Sequence, residues 1–448
     1  MANNSRTTII VVTALMLFSM FFGAGNLIFP PMLGIGAGEN FWPAIFGFLG
    51  AGVLLPVIAI IAIAMSGNSV RDLANRAGWI FGLIFPILAY LSIGAFYALP
   101  RTGAVAFETA ATPLFGWDSM LASGLFNFAF FGVALALSWR PSTISSTLGK
   151  FLTPILVLLL VLLIAFSVMN FETIERSPSE DFVEAPMATG LLEGYLTMDA
   201  IAALAFGIVV ISSLRYQGVK EGRPLVTGTI AAGIGAGILL ALIYVGLGVI
   251  GQRLPGGEQF DNGANVLSEA ANQTLGQPGQ VVFALIVLLA CLTTAVGLIT
   301  ATSEFFESLL PGVRYHIWAV IFALMSFSMA TMGLDTVLAV AAPVISFIYP
   351  PAITLMFIAL VEPAFRGRPH FYWTYRLPIW VAVIWSALTS LHSLGWGASI
   401  IEPLISWAPM QALSLGWVLP VIVTVVIAFV LDVVQKDRAP AERARVEA

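Results

Sequence analysis

The sequence predicts an all-α integral membrane protein with about twelve membrane-spanning helices. Of its 448 residues, 59% are hydrophobic and only 10% are charged. Soluble domains carry about 25% charged residues, so this composition places the chain in a lipid bilayer. Apolar runs also recur along the chain at about the 20-residue length that crosses a bilayer. We treat residues 1–448 as one transmembrane domain.

The predicted spans follow the apolar runs, with boundaries set by polar and charged segments. They are residues 9–33, 41–65, 79–100, 118–139, 148–169, 189–214, 225–250, 280–306, 315–333, 337–361, 377–397 and 411–434. The first span lacks a small-residue cleavage site, so we expect it to be retained rather than removed as a signal peptide. The charged segment 435–448 is predicted to be a short tail.

Basic residues gather in alternate loops of this arrangement. Arg71, Arg76, Arg215 and Lys220 fall on one predicted face, whereas the 170–188 loop on the other face is acidic. Because cytoplasmic loops are enriched in Lys and Arg, both termini are predicted to be cytoplasmic.

The first span contains "MFFGAGNLIFPP" (20–31), which no uninterrupted membrane helix would favour. A helix break exposes N–H and C=O groups that lipid cannot satisfy, so the break must face protein or a wet cavity. Its amides suit a carboxylate and its carbonyls suit a cation. Gly23 and Gly25 allow a ligand close to the backbone, and Asn26 adds a side-chain oxygen.

The sixth span, "GLLEGYLTMDAIAALAFGIVVISS", is interrupted in a comparable way by Thr197, Asp199 and Gly207. Five spans separate the two anomalies, so the second copy would cross the membrane in the opposite direction. We therefore predict inverted repeats over 9–169 and 189–361, with 377–434 forming two accessory spans.

The eighth span contains adjacent hydroxyls at Thr293 and Thr294, one turn after Ala290. Two hydroxyls and a carbonyl could converge on a monovalent cation, because such neutral oxygens do not supply the charge that a divalent ion prefers. The alternative is that both threonines hydrogen-bond to their own helix.

The sequence gives little support to three other functional classes: an enzyme, an ATP-driven transporter and a channel. One cysteine, Cys291, and three dispersed histidines provide neither a disulfide nor a metal cluster, which argues against an intramembrane enzyme. No phosphate-binding Gly-x-x-x-x-Gly-Lys-Ser/Thr motif occurs, so no ATPase subunit is expected. We also expect no nucleic-acid partner and no organic cofactor. A channel would favour polar pore-lining faces over matched broken helices.

"FFGAGNLIFPPMLG", "GENFWPAIFGFLG", "LPRTGAVAFE" and "GYLTMDAIAALAFG" resemble the branched-chain amino acid:cation symporter family over nearly the whole chain. The resemblance implies a LeuT-like fold of two inverted five-helix repeats, with broken helices 1 and 6 and two accessory helices. It also implies import of leucine, isoleucine and valine across the bacterial cytoplasmic membrane, coupled to a cation, most readily Na⁺.

The resemblance further implies residue roles. Backbone amides of Gly23, Ala24 and Gly25 would hold the substrate carboxylate, and Asn26 would help bind a cation. The pattern Ala-x-Leu-Thr-Ser in related sodium symporters matches Ala290, Leu292, Thr293 and Thr294, which implies a sodium site closed by a carbonyl near Phe22. The remaining predicted substrate-site residues are Tyr97, Thr197, Asp199, Phe206 and Thr294.

An ionisable group inside a span is usually functional, so Asp199 is predicted to pair with the substrate amine or a cation, or to carry a proton. Proton coupling through Asp199, with no occupied sodium site, is the main alternative to sodium coupling. We expect Arg101 and Glu108, which lie beyond the apolar part of the third span, to be structural. Glu304 and Glu307 are expected at a solvated helix end.

Overall fold

The computed structural model describes residues 5–67, 69–260, 262–365, 369–411 and 415–435. Across these ranges the regular structure is helical. The α-helices up to Asn170 are α1 (Arg6–Phe21), α2 (Ala24–Ala37), α3 (Phe41–Leu49), α4 (Leu55–Ser66), α5 (Val70–Ala74), α6 (Trp79–Leu91), α7 (Ala98–Ala106), α8 (Thr112–Phe115), α9 (Met120–Ser138), α10 (Ile144–Thr147) and α11 (Thr153–Asn170).

The later α-helices begin after the acidic segment that follows α11. They are α12 (Glu180–Glu184), α13 (Pro186–Leu196), α14 (Asp199–Tyr216), α15 (Arg223–Arg253), α16 (Gly263–Leu275), α17 (Gln277–Leu309), α18 (Tyr315–Ala330), α19 (Leu334–Val361), α20 (Trp373–Ser393), α21 (Ala398–Ile405) and α22 (Val418–Val434). Short 3₁₀ and π-helical turns join several neighbouring helices, as at Gly50–Leu54 and Ser92–Phe96.

Eight helices in the described ranges are long and apolar enough to cross a membrane, and three shorter apolar helices accompany them. The longest, Gly25–Ser66, runs for 42 residues and joins the second half of the predicted span 1 to span 2. These features confirm the predicted all-α, multi-pass character of the chain. Most of the predicted tail, residues 436–448, lies outside the described residues.

The third membrane helix is longer than predicted. Span 3 was expected to end at residue 100, but the helix continues from Trp79 to Phe115. This helix is irregular within its length and does not end at residue 100. A π-helical turn, Ser92–Phe96, is followed by Tyr97, whose backbone angles are not helical, and α7 begins at the next residue. Arg101 therefore lies within the membrane helix rather than beyond its apolar part.

Contacts within the chain divide it into two compact units. The first comprises Met1–Ile60 and Ile93–Leu338, and the second comprises Ile61–Ser92 and Ala339–Ala448.

Glycines allow helix backbones of the first unit to approach closely. A Cβ atom on Gly190 of α13 would lie 1.9 Å from the Ala44 carbonyl oxygen of α3. One on Gly251 of α15 would lie 2.0 Å from the Pro31 carbonyl oxygen of α2. Larger side chains would force these helix pairs apart, and such small-residue contacts are typical of membrane helix packing. The glycines therefore allow α13 to pack closely on α3, and α15 to pack closely on α2.

The second unit is tied together by two polar clusters. Arg76 forms an ion pair with Glu362, which also accepts a hydrogen bond of 2.9 Å from the Tyr375 hydroxyl. The buried Asp432 carboxylate of α22 accepts hydrogen bonds from the backbone amides of Trp373 and Thr374, each 2.9 Å long. It thereby caps the first turn of α20.

Candidate functional site

The predicted break in the first span is present between α1 and α2. Helix α1 ends at Phe21 and α2 begins at Ala24, leaving Phe22 and Gly23 with non-helical backbone angles. The Gly23 amide donates a hydrogen bond of 3.1 Å to Asn26 Oδ1. Gly23, Gly25 and Asn26 are all buried. The break is thus enclosed by protein, as lipid chemistry requires.

The sixth predicted span breaks between α13 and α14, at Thr197 and Met198. Met198 has a φ angle of 64°, in the left-handed region that side chains disfavour. The Thr197 hydroxyl donates to the Gly194 carbonyl over 2.8 Å, within the half-helix that precedes the break. Asp199 is the first residue of α14 and only 4% exposed.

A buried hydrogen-bond network joins the two breaks. Asn26 Nδ2 donates to Asp199 Oδ2 over 2.6 Å, and the Tyr244 hydroxyl of α15 donates to the same oxygen over 2.9 Å. Asn26 Nδ2 also contacts the Tyr244 hydroxyl directly. Asn26, Asp199 and Tyr244 therefore hold the two interrupted helices together through side chains rather than through backbone pairing.

Tyr97 and Arg101 bring the third membrane helix to the first break. Both side chains are buried, and Arg101 Nη1 donates to the Tyr97 hydroxyl. The guanidinium packs on Gly25 so closely that a Cβ atom there would lie 2.3 Å from Arg101 Nη2. The predicted substrate residue Tyr97 thus reaches the site region together with an arginine that was expected to be structural.

The threonine pair of the eighth span faces the first half of the broken helix 1. Thr293 Oγ1 and Thr294 Oγ1 lie 3.0 and 3.2 Å from the Ser19 carbonyl oxygen. Thr293 also contacts the Ala290 carbonyl oxygen at 3.1 Å and the Leu289 carbonyl oxygen at 2.9 Å. Thr293 therefore bonds to its own helix and to α1, and Thr294 bonds to α1.

This oxygen cluster lies against the first break. A Cβ atom on Gly23 would lie 2.8 Å from Thr294 Oγ1. Phe22, predicted to supply a carbonyl here, donates its amide to the Phe18 carbonyl oxygen over 2.8 Å. The carbonyl that touches both threonine hydroxyls belongs to Ser19, three residues earlier.

Phe206, a predicted substrate-site residue, is fully buried on α14. Its ring packs against Phe21 with 5.6 Å between centroids. Phe21 is the last residue of α1, immediately before the first break. The two rings thus place apolar surface next to the polar network.

The other acidic residues considered from the sequence lie outside this network. Glu304 is half-buried and accepts a hydrogen bond of 3.2 Å from Ser212, and Glu307 accepts one of 2.9 Å from the Tyr315 amide. Glu108 is exposed, and its Oε1 accepts a hydrogen bond of 3.3 Å from the Leu334 amide. Over the described residues, no three His, Cys, Asp or Glu side chains gather as a metal cluster.

Three contributors to the site were not predicted from the sequence. Tyr244 lies in a long apolar span without other polar residues around it, and Ser19 acts through a backbone carbonyl that any residue would supply. Arg101 was placed beyond span 3. The signal for Arg101 was its charge within "LPRTGAVAFE", where the flanking residues remain mostly small or apolar.

Comparison with known proteins identifies the family. The profile of a family described as "Branched-chain amino acid transport protein" matches residues 6–435. The chain belongs to this family. It is 58% identical over 424 residues to the branched-chain amino acid permease BrnQ of Corynebacterium glutamicum, covering 94% of this chain and 95% of the permease. The protein is accordingly a transport protein and not an enzyme.

A more distant relative and two solved structures extend the comparison. The Bacillus subtilis permease BraB is 37% identical over 431 residues, covering 94% of this chain and 95% of BraB. Mhp1, a nucleobase-cation-symport-1 family transporter, aligns with a TM-score of 0.63 and 15% identity over 97% of this chain and 95% of its own. A manganese transporter of Eremococcus coleocola aligns with a TM-score of 0.55 and 16% identity over 95% of each chain. The transporter shares their fold.

Proposed function

We propose that this family member imports leucine, isoleucine and valine across the bacterial cytoplasmic membrane by secondary symport. The permeases that it matches at 58% and 37% identity are named for branched-chain amino acids. The structural observation that carries the proposal is the 2.6 Å hydrogen bond between Asn26 and Asp199, which joins two broken helices. Broken helices that meet inside the membrane are the usual setting for substrate and ion binding in secondary transporters.

The chemistry of the two breaks fits an amino acid. The first amides of α2, at Ala24 and Gly25, have no intrahelical acceptor and favour a carboxylate. On the other side of Asn26, the buried Asp199 carboxylate favours an ammonium group. Thr197 lies beside it at the second break.

The apolar surface beside these breaks suits a branched side chain. Phe21 and Phe206 are buried and in contact next to the first break. A branched aliphatic side chain would gain about 25 cal/mol for each Å² buried against such rings. We assign Phe206, with neighbouring residues of the third and eighth spans, to the substrate side-chain pocket.

Sodium is the proposed coupling ion. The Ser19 and Ala290 carbonyls and the two threonine hydroxyls are neutral oxygens. Thr293 Oγ1 lies 3.0 Å from the Ser19 oxygen and 3.1 Å from the Ala290 oxygen, and Thr294 Oγ1 lies 3.2 Å from the Ser19 oxygen. This donor set fits a monovalent hard cation better than a divalent one. Phe22 would complete the site with its carbonyl. Bound Na⁺ would supply positive charge that holds α1 against α17.

Asn26 is the proposed contact of a cation near the substrate. Its Oδ1 accepts one hydrogen bond from the Gly23 amide, and an amide oxygen has a second lone pair for an ion. Such an ion would lie at the first break, beside Gly23.

Proton coupling is the second candidate, and one observation favours it. Asp199 is 4% exposed, and the Asn26 and Tyr244 side chains that donate hydrogen bonds to it are neutral. A buried carboxylate held by neutral groups can exist in protonated and ionised forms, and such residues form proton relays in transporters. In this version Asp199 titrates during transport and the threonine site remains without an ion.

The proposed topology comprises twelve spans in two inverted repeats of five, plus two accessory spans. In the first unit, α1 packs on α15 and α13 packs on α3, so the leading half of each broken helix contacts the second span of the other repeat. This reciprocal pairing supports the inverted arrangement. The basic loops support cytoplasmic termini. Alternating access would follow from movement of one repeat against the other.

Uptake of labelled isoleucine into proteoliposomes tests the function and its coupling. We expect accumulation under an inward sodium gradient that is lost when choline replaces sodium. Uptake that survives choline but collapses with a proton ionophore would instead support coupling through Asp199. Absence of accumulation under every ion gradient would contradict symport.

Residue substitutions separate the two coupling schemes. Thr294→Ala should lower apparent sodium affinity if the threonine cluster binds the coupling ion, whereas Thr331→Ala serves as a matched control. The Thr331 hydroxyl bonds to carbonyls of its own helix, outside the proposed site. Equal sodium dependence in the two variants would count against the threonine site.

A further inference from the structure

Arg101 is a buried cation at the first helix break without an ion-pair partner of its own in the described part of the chain. Its side chain belongs to a residue that is 7% exposed, and Nη1 donates to the neutral Tyr97 hydroxyl. Arg76, Arg176 and Arg215, by contrast, each form an ion pair with a glutamate. Arginine stays protonated even when buried, so its charge persists inside the membrane helix.

A buried unpaired charge is unfavourable, and ionisable groups inside membrane spans commonly mark a ligand path. The guanidinium offers five N–H donors in a planar fork that matches a carboxylate. One nitrogen, Nη1, contacts Tyr97, and Nη2 lies against Gly25 in the first turn of α2. Both the side chain and the free amides of that turn therefore present positive character in one place.

Opposite charges flank consecutive residues of the broken helix. Gly25 contacts the Arg101 guanidinium, and Asn26 donates to the Asp199 carboxylate over 2.6 Å. The first turn of the broken helix therefore lies between a cation and an anion, the two charges that a zwitterion requires.

We propose that Arg101 binds the α-carboxylate of the transported amino acid while Asp199 binds its ammonium group. This inference rests on the proposed function and narrows its substrate class to α-amino acids in which both charged groups are free. An amine that lacks the carboxylate leaves Arg101 unpaired, and a 2-oxo acid that lacks the ammonium leaves Asp199 unpaired. Both analogues are therefore rejected although their branched side chains fit the same pocket.

Direct binding to the purified full-length protein tests this assignment with leucine and 3-methylbutan-1-amine, which is leucine without its carboxylate. The wild type should bind leucine about 100-fold or more tightly than the amine, because a site built for a polar group rejects an analogue that lacks it. Arg101→Gln should abolish most of this preference by weakening leucine binding while changing amine binding less than about threefold. Equal affinities of the wild type for the two ligands would overturn the proposal without any variant.

A matched arginine separates ligand binding from a structural role. Arg176 is 8% exposed but is engaged by Glu258 and by the Gly251 and Leu254 carbonyls, so Arg176→Gln should leave the leucine-to-amine ratio unchanged. Gly25→Ala is a second test of the assignment, since it keeps the Arg101 charge but displaces the guanidinium. It should weaken the binding of leucine more than the binding of the amine. Arg101→Gln that weakens both ligands equally, or weakens neither, would overturn the assignment.

Failure of the proposed function has a different signature. A wild type that neither binds nor accumulates leucine under any ion gradient would reject amino acid transport itself. The role of Arg101 alone would be rejected by a different result. In that case the wild type accumulates leucine, and Arg101→Gln prefers leucine over the amine as strongly as the wild type does.

Discussion

Asn26 donates its side-chain amide to the Asp199 carboxylate over 2.6 Å, across 173 positions of the chain. The same asparagine accepts the Gly23 amide through its oxygen, so one side chain closes the first break and ties it to the second. A hydrogen bond to a charged, buried acceptor contributes about 1.5–3 kcal/mol to the free energy of unfolding, so this contact is a large local contribution to stability. It is a direct side-chain link between the two breaks.

Replacement of Asn26 by Ala should therefore impair both stability and transport. Asp199 loses a donor and Gly23 loses an acceptor, at a cost of about 1–3 kcal/mol. We expect apparent leucine affinity to fall at least about tenfold, since about 1.4 kcal/mol corresponds to a factor of ten. Uptake kinetics and thermal unfolding in detergent measure the two effects.

Asn170→Ala is the matched control for this substitution. Asn170 is exposed at the end of α11, and its amide donates only to the Phe166 carbonyl of the same helix. We expect it to transport like the wild type. If Asn26→Ala and Asn170→Ala had the same kinetics and stability, the link between the breaks would have no functional role.

Gly23→Ala should disturb the oxygen cluster without removing any oxygen. The new Cβ atom would lie 2.8 Å from Thr294 Oγ1, and overpacking of this kind costs about 1–3 kcal/mol. If the cluster binds sodium, apparent sodium affinity should fall by about tenfold, as measured by the sodium dependence of leucine uptake. Adding Thr294→Ala should recover stability but not sodium affinity.

Gly132→Ala is the control, because a Cβ atom on this exposed residue of α9 meets no heavy atom within 4 Å. Its helix should become slightly more stable, by up to about 1 kcal/mol. A Gly23→Ala protein with unchanged sodium dependence would show that Thr294 does not contribute to an ion site.

Sequence patterns captured the first break better than its partners. The cluster Gly23, Gly25, Asn26 and Pro30 is a local signal, because each residue type disfavours an apolar uninterrupted helix. Thr197 and Asp199 signalled the second break, but its exact position had no local signal, since Met198 is an ordinary helix former although its φ angle is 64°. Local propensity therefore could not place it.

Long-range contacts explain the remaining differences. Tyr244 contacts Asp199 across 45 positions, and Ser19 contacts Thr294 across 275, so neither partnership follows from spacing within one helix. Ser19 contributes a backbone carbonyl, which carries no residue-type signal at all. Arg101 was not predicted as a site residue because the predicted third span ended at residue 100, whereas the helix extends to Phe115. A charge was read as a membrane boundary although packing keeps it buried.

Met198→Gly should relieve backbone strain at the second break. A non-glycine residue in the left-handed region costs about 1–2 kcal/mol, so this variant should unfold at higher temperature unless added flexibility offsets the gain. Met198→Val, with a branched side chain, should unfold at lower temperature.

Met410 offers a matched comparison because its φ angle is also 64° but it lies outside the broken helices. Met410→Gly should gain similar stability and transport normally, whereas Met198→Gly should alter leucine kinetics as well. If neither Met198 variant changed the unfolding temperature or the kinetics, strain at this residue would be irrelevant to both.

Asp432 should stabilise the second unit by capping α20. Its carboxylate accepts the Trp373 and Thr374 amides at 2.9 Å and the Thr374 hydroxyl at 2.7 Å, all at the positive end of a helix. Asp432→Ala leaves these buried donors unpaired and should cost about 2 kcal/mol, whereas Thr374→Val removes one donor and should cost less. Thermal unfolding in detergent measures both changes.

Glu402→Ala, at an exposed residue of α21, is the matched acidic control and should change stability little. If Asp432→Ala unfolded at the same temperature as Glu402→Ala, the three hydrogen bonds would make no net contribution to the packing of α20 against α22.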